Sequence, residues 1–474
     1  MSAKNKIVHS LCCLLLLSLS SCSAQKKIVA SDSLLVQAKV WSKDEAKQVH
    51  YSDWKSYPSV TVNMLKDFKE TQPQLDKYGG ALNKVFKATG FFRTAKQAER
   101  WWVIDPDGHP VVITAVNSIR LGKSAGSEET VNEKFGNKEK WMAETVNALK
   151  ETGFNTAGSW SDTGAISSNN NASSTFAYTT QLNLLSGYAS AAKKINKQRK
   201  KNSVLSFILD DAFEGYCNEQ ATKIGRLKND ANLLGHFSDN ELPFTHKEFD
   251  ELLATDEVSG NCYLAIVKWM KEKGIDIKNI TREQKEEFIG WLAGKYYETV
   301  SKAIRTYDPN HLYIGSRLHS SAKDNEYIYK AANDFVDIFS INYYGYWQPK
   351  AEHVANWDTW SSKPFFITEF YTKAEETGMS NLSGAGWIVK SQTDRGIHYQ
   401  NFCLQLLQAK NCVGWHWFRY QDNDPADANA DASNKDSNKG MVDIQFKMYG
   451  ELIEKMKQLN NNKYALIEYF DQKK

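Results

Sequence analysis

Along most of the chain, short apolar runs bounded by turn residues alternate with longer stretches of helical spacing. The first run, residues 111–117 (VVITAVN), is uninterrupted in the way of a strand buried on both faces. Helical periodicity follows over residues 138–152, and Gly153 ends it. Further strands are predicted at 154–160 (FNTAGSW), 177–182 (AYTTQL), 233–238 (LLGHFS), 312–318 (LYIGSRL), 336–342 (VDIFSIN), 364–370 (PFFITEF) and 413–418 (VGWHWF), with helical stretches such as 285–306 and 395–410 between them. Parallel neighbours need a crossover helix, so eight apolar strands alternating with helices predict a (β/α)8 TIM barrel, an α/β fold. Residues 204–209 (VLSFIL) are a ninth candidate, assigned to the connection between strands three and four because helical spacing begins at Ala212.

Ahead of the barrel, residues 91–93 and 100–104 flank a polar turn and 105–110 (DPDGHP) form another, a hairpin leading into the first strand. Residues 28–88 show helical spacing and no strong strand run, which predicts a short N-terminal extension packed on a barrel domain of residues 89–474. Before that, Lys4 and Lys6, an apolar run over 11–17 and Leu19-Ser20-Ser21-Cys22 make an export signal too short to span a bilayer. The last four residues resemble the lipobox of bacterial lipoproteins. The expectation is removal of residues 1–21, a lipid anchor on Cys22 and a tether leading into the extension, on the periplasmic or surface side; simple cleavage is the alternative.

Charge changes the picture mainly by exclusion. Without residues 1–21 the formal charge falls from +3 to +1, which offers no electrostatic reason for a nucleic acid or anionic-surface partner, and the basic run 193–201 stands isolated as a solvated insertion. Contact with a membrane is expected only through Cys22. Cys217, Cys262, Cys403 and Cys412 lack metal-ligand spacing and read as buried free thiols. The acids Asp422, Asp424, Asp427, Asp431 and Asp436 lack the glycine and closing glutamate of a calcium loop and read as solvated, so no metal or cofactor is called for. Aromatics are the informative excess. With 14 Trp, 22 Tyr and 22 Phe, many beside polar groups, the chain can offer flat faces and fixed hydrogen-bond partners together, which a saccharide requires.

Two acids carry the candidate chemistry. Asn240 and Glu241 follow the fourth strand, where Pro243 forbids its continuation, and groups at the C-terminal ends of barrel strands face the active-site mouth. Glu369 lies within the apolar seventh run, where an acid is costly without a partner or a task. Taken singly, Glu241 could be a loop acid and Glu369 half of an ion pair. Together across a barrel mouth they match glycosidic cleavage, in which one carboxyl protonates the leaving oxygen and the other attacks the anomeric carbon.

The segments FFRTAKQAERWWVIDPDGHP, LKETGFNTAGSWSD, LLGHFSDNELPF, YDPNHLYIGSRL, VDIFSINYY, ITEF and GWHWFRYQD with SNKGMVD, in this order over residues 89–445, resemble clan-A glycoside hydrolases and, among them, family 50, the β-agarases. The resemblance implies Glu241 as acid/base, Glu369 as nucleophile and Asn240 on the sugar 2-hydroxyl. It implies Tyr343 as donor to Glu369, with Tyr344 as the alternative, and Trp417 as the floor of the reacting subsite with Trp415 and His416 beside it. Asn117, Trp160, Arg317 and His319 would line the pocket, and each aromatic could instead be core packing. The implied activity is a retaining hydrolase of β-galactosidic linkages in agar-like galactans, with carboxyls about 5 Å apart and an oligo- or polysaccharide as partner. Alternatives are a β-galactosidase or β-mannan-active enzyme of the same clan, or a surface lipoprotein that binds glycans without cleaving them. The resemblance departs at the N-terminus, where family members often carry a larger accessory β domain and residues 28–88 are expected to form only a short extension.

Overall fold

The computed structural model describes residues 28, 33–43, 49–71, 73–122, 125–171, 174–255, 260–427, 430 and 435–472. The export signal and Cys22 lie outside the described residues. Eight parallel strands form the barrel: β1 (Ile113–Val116), β2 (Thr156–Ala157), β3 (Ala177–Gln181), β4 (Leu233–Phe237), β5 (Leu312–Tyr313), β6 (Phe339–Asn342), β7 (Phe365–Phe370) and β8 (Cys412–Trp417). Their order is β5-β4-β3-β2-β1-β8-β7-β6. Closure between β5 and β6 falls to Leu318, whose N–H donates to Ser340 O at 2.8 Å and whose carbonyl accepts from Asn342 N–H at 2.9 Å. The predicted barrel is thus observed. Its second and fifth strands are shorter than the apolar runs, because the chain turns to positive φ at Trp160, Gly315 and Arg317 and leaves the ladder. The ninth candidate forms a 3-10 turn, Val204–Phe207, that buries Leu205 and Phe207.

Two apolar layers follow from the alternation along each strand. Ile113, Ala115, Leu234, Leu312, Ile338, Phe366 and Val413 fill the barrel axis, and the hairpin of strands Arg93–Gln97 and Arg100–Ile104 adds Phe92 and Val103 to the same cluster, plugging the N-terminal end. Other strand side chains, such as Trp415, Trp417, Phe365 and Phe370, pack outward against helices including Gln392–Gln408, with irregularities between β7 and β8 shifting the alternation. No helix among the described residues is long and apolar enough to cross a membrane. Cys217, Cys262, Cys403 and Cys412 are buried and free, as the sequence suggested.

The N-terminal extension is not helical as its spacing suggested. Leu34–Lys39 pairs antiparallel with Lys55–Ser59 on one side and with Trp387–Val389 on the other, and Trp387–Val389 pairs parallel with Thr372–Ala374 beyond β7. Val36 and Ala38 alternate into a small core with Trp347, Trp387, Val389 and Ile397. One of the strand's two partners, Trp387–Val389, lies about 350 positions away, and no local pattern announces that pairing.

The aspartate-rich segment also departs from its reading as solvated. Asp422 is buried and accepts from Lys439 N–H at 2.7 Å, Gly440 N–H at 2.6 Å, Asn438 Nδ2 at 2.9 Å and Tyr449 Oη at 2.7 Å. Asp436 accepts from the N–H groups of Leu382 and Ser383 at 3.1 and 3.0 Å. These carboxylates satisfy the backbone of two turns beyond β7 and β8, where unpaired N–H groups would be costly. Asp431 lies outside the described residues.

Candidate active site

The C-terminal ends of the first five strands each deliver a residue in the left-handed region: Ser118 (φ +59°), Trp160 (+61°), Asn183 (+55°), Glu241 (+51°) and Arg317 (+57°). Such a conformation costs of order 1–3 kcal/mol for a residue with a Cβ and persists only where the surroundings impose it. Here it falls two to four residues past the end of each strand, where the chain leaves the ladder.

On β7 the device is a bulge. Ile367 and Phe370 pair with Trp415 and Trp417 on β8, while Ile341 and Asn342 on β6 pair with Ile367 and Glu369, so β7 carries one residue more than either neighbour. Strict alternation would send Glu369 outward with Ile367, into the helix layer. The extra residue returns Glu369 to the mouth and Phe370 to the helices, where Phe370 stacks on Phe402 at 4.2 Å. The carbonyl of Thr368 accepts from Asn117 Nδ2 at 2.9 Å and from the Arg317 guanidinium at 3.4 Å, and Thr368 Oγ1 donates to Asn342 Oδ1 at 2.8 Å.

Arg317 joins the two halves of the site. Fully buried, it donates from Nε to Asn240 Oδ1 at 2.8 Å, from one terminal nitrogen to Ser159 Oγ at 2.8 Å, and from the other to Glu369 Oε1. Asn342 Nδ2 donates to Glu241 Oε1 at 2.7 Å and lies 3.3 Å from Asn240 Oδ1; His319 Nδ1 is 3.8 Å from Glu241 Oε1. Glu241 and Glu369, from strands on different sides of the barrel, therefore belong to one network running through Asn342, Asn240 and Arg317. Glu241 keeps about a third of its side chain exposed, whereas Glu369 is nearly covered.

Several expected residues stand elsewhere. Tyr343 does not reach Glu369; its hydroxyl meets His353 Nδ1 and accepts from Lys350 N–H, both at 3.0 Å. Tyr344, the alternative, donates to Glu369 Oε2 at 2.6 Å. Trp417 cannot floor a subsite, because strand parity sends it outward, where it is fully buried against Phe370 and Tyr399 and donates to Lys439 O at 3.2 Å. Trp415 likewise donates outward, to Tyr399 Oη at 2.8 Å. Phe418, one residue further, is also buried but lies edge-on to half-buried Trp160 at 5.9 Å and tilted against Tyr371 at 5.8 Å, with Tyr344 beyond at 5.5 Å. His416 is fully buried on the barrel axis beside Phe366 and lines no open pocket. Asn117 is also buried and acts on the bulge rather than on solvent. Asn240, Arg317, His319, Trp160 and both glutamates do come together. Asn342, Ser159, Thr368, Phe418 and Tyr371 were missed; of these only Asn342, a polar residue closing an apolar run, left a trace in the sequence.

Burial pushes the Glu369 carboxyl above its ordinary value, and the nearby Glu241 adds to this; the Arg317 guanidinium and the Tyr344 hydroxyl oppose it. Burial, then the charge of Glu369, holds Tyr344 well above the phenol's ordinary value, so it stays a donor. Burial and then Arg317 keep the His416 imidazole well below its own. Gly158 completes the floor: a Cβ there would stand 2.0 Å from Asn117 Oδ1 and 2.9 Å from His416 Nδ1. Gly158→Ala is accordingly expected to push Asn117 off Thr368, shift the bulge and lower kcat by about 100-fold with a smaller change in KM, read from initial rates.

Among the described residues, two groups could share an ion, His236 with Asp308 and His311, and Asp76 with Asp105 and His109. The first is closed on itself: His236 meets Thr180 Oγ1 at 2.6 Å and Asp308 at 2.9 Å, and His311 meets Asp308 at 2.8 Å and Asp230 O at 2.9 Å. The residues of the second precede β1, away from the strand ends that carry the glutamates.

No family model matches the chain. It is 24% identical over 496 residues to beta-agarase B of Vibrio sp. (strain JT0107), covering 82% of this chain and 50% of that protein. Against beta-agarase A of the same organism it is 24% identical over 453 residues, covering 73% and 44%. The chain thus spans about half the length of the curated relatives it matches. Among solved structures, an exo-beta-agarase shares the fold with a TM-score of 0.68 at 20% identity, over 85% of this chain and 69% of that one. BpGH50 superposes with a TM-score of 0.82 at 31% identity, over 93% of this chain and 96% of that one. With identity of that order across nearly the whole of both chains, on the same barrel, the chain belongs to glycoside hydrolase family 50.

Proposed function

We propose that the protein is a retaining glycoside hydrolase that cleaves β-galactosidic linkages in agar-like galactans by double displacement, exported and anchored through Cys22. The observation that carries this reading is the single hydrogen-bonded network holding Glu241 and Glu369 at one barrel mouth. The agarase names of its relatives supply the substrate class.

In this mechanism Glu369 attacks the anomeric carbon and Glu241 protonates the departing oxygen, then takes a proton from the water that releases the glycosyl ester. Arg317 and Tyr344 hold Glu369 ionised against its burial and fix both of its oxygens. Their grip loosens as the carboxylate charge passes into the ester. Asn342 orients Glu241. Asn240 is held by Arg317 through its carbonyl oxygen, which leaves its amide N–H to the 2-hydroxyl of the sugar. Trp160, half-buried and backed by Phe418, supplies a flat face.

Incubation with agarose, porphyran, carrageenan and galactan oligosaccharides, followed by NMR of the first anomer formed, tests the proposal. A β anomer from an agar-type substrate is expected. An α anomer appearing first would overturn retention, and binding without release of reducing ends would overturn hydrolysis.

A further inference from the structure

A cavity of about 360 Å³ lies at the opposite end of the barrel from Glu241 and Glu369. Its walls come from Asp76 to Gly79 of the extension, from Lys150 at the end of helix Lys138–Glu151, from Gly153 and Asn155 just before β2, and from Asn461 and Lys463 of the last helix, Gly450–Gln472. Lys463 is 2% exposed. Among the described residues no carboxylate pairs with it; its ammonium reaches only Gly153 O at 3.1 Å and Thr114 Oγ1 at 3.5 Å. Lys150 likewise has no acidic partner and donates to Ser174 Oγ at 2.7 Å.

The other charges on the wall are compensated. Lys77 pairs with Asp107 at 3.0 Å. Asp76 accepts from Tyr78 and Gly80 N–H at 2.9 and 2.8 Å and meets His109 Nδ1 at 2.8 Å. Two lysines without an acidic partner among the described residues are therefore left over around one polar cavity. A buried ammonium without a counter-charge is costly, and burial lowers Lys463 to about 7 and lowers Lys150 as well. The space far exceeds a monatomic ion, and the two lysines line it from separate helices.

We propose that this cavity is a binding site for a small oxyanion of the phosphate or sulfate class, held between Lys150 and Lys463. The site is separate from the hydrolytic one and does not depend on that assignment.

Isothermal titration and thermal unfolding of the whole chain, with sulfate, phosphate and galactose 6-phosphate against chloride at matched ionic strength, test it. Saturable binding of the oxyanions with a raised unfolding midpoint is expected, and chloride should give neither. Affinity should weaken about tenfold or more in Lys463→Met and in Lys150→Ala, each removing one charge-assisted contact. Lys150 is only half-buried, so its variant remains informative if Lys463→Met fails to fold. Binding of galactose 6-phosphate as tightly as phosphate would identify a sugar-borne oxyanion, and binding of the inorganic ions alone a free one. Absence of saturable binding, or equal affinity in wild type and Lys150→Ala, would overturn the proposal.

Discussion

Glu369→Gln should abolish turnover, lowering kcat by on the order of 10⁴-fold or more, because the amide cannot form the glycosyl ester. Glu241→Gln should behave differently. Loss of general acid assistance is worth roughly 10²–10⁴-fold on a natural galactan. An aryl glycoside with an acidic phenol needs no proton in the first step, so its bond-breaking step should be nearly unaffected in Glu241→Gln and still lost in Glu369→Gln. Burst kinetics on the two substrate types separate the roles; equal losses on both for Glu241→Gln would remove it as the acid. The neutral amide of the Glu369→Gln variant also leaves Arg317 buried without its counter-charge, since Glu369 is its ion-pair partner. Breaking a buried pair typically costs about 3–5 kcal/mol, so the unfolding midpoint should fall with activity. The double variant Arg317→Met/Glu369→Gln should recover part of that loss, with a coupling energy of about 1 kcal/mol or more in a double-mutant cycle.

The second large effect is expected at Arg317. Its planar fork serves Asn240, Ser159 and Glu369 at once, a set of directions that a lysine cannot reproduce. Arg317→Lys should lower kcat/KM by about 100-fold, and Arg317→Met by more. The pH profile distinguishes this from simple loss of packing. Burial already raises the Glu369 carboxyl, and Arg317 is the leading influence holding it down. Removing the guanidinium therefore raises it further, and because the nucleophile acts only when ionised, the acid limb of kcat/KM must move to higher pH. An acid limb that stays in place while kcat falls would show that Arg317 only orients Asn240.

The strand-and-helix rhythm was legible because each barrel strand is buried on both faces and must be apolar throughout, whatever it touches. The two acids were legible as a candidate pair for a related reason. A carboxylate inside such a run, as at Glu369, is costly without a partner or a task, one just past its end, as at Glu241, stands where the mouth lies, and a parallel barrel has only one end toward which strand C-termini point. The errors share the opposite property. Tyr343 and Tyr344 are adjacent and alike, and only the path of the chain after Asn342 sets Tyr344 on Glu369 and Tyr343 on His353. Trp417 and Phe418 differ by one step of a two-residue period, and that step exchanges contact with Tyr399 in the helix layer for contact with Trp160.

By itself, then, the sequence determined the barrel, the end of it at which strand C-termini gather and the two acids it offers there as candidates, because strands buried on both faces must be apolar and parallel strands share one C-terminal end. The tertiary structure alone decided how the acids are held. The bulge that turns Glu369 inward, the single guanidinium spanning Asn240 and Glu369, the sheet joining residues 34–39 to 387–389 and the two lysines around the far cavity all depend on partners distant in the chain. Register and long-range pairing are set by the sum of packing contacts, and no residue's own neighbourhood records them.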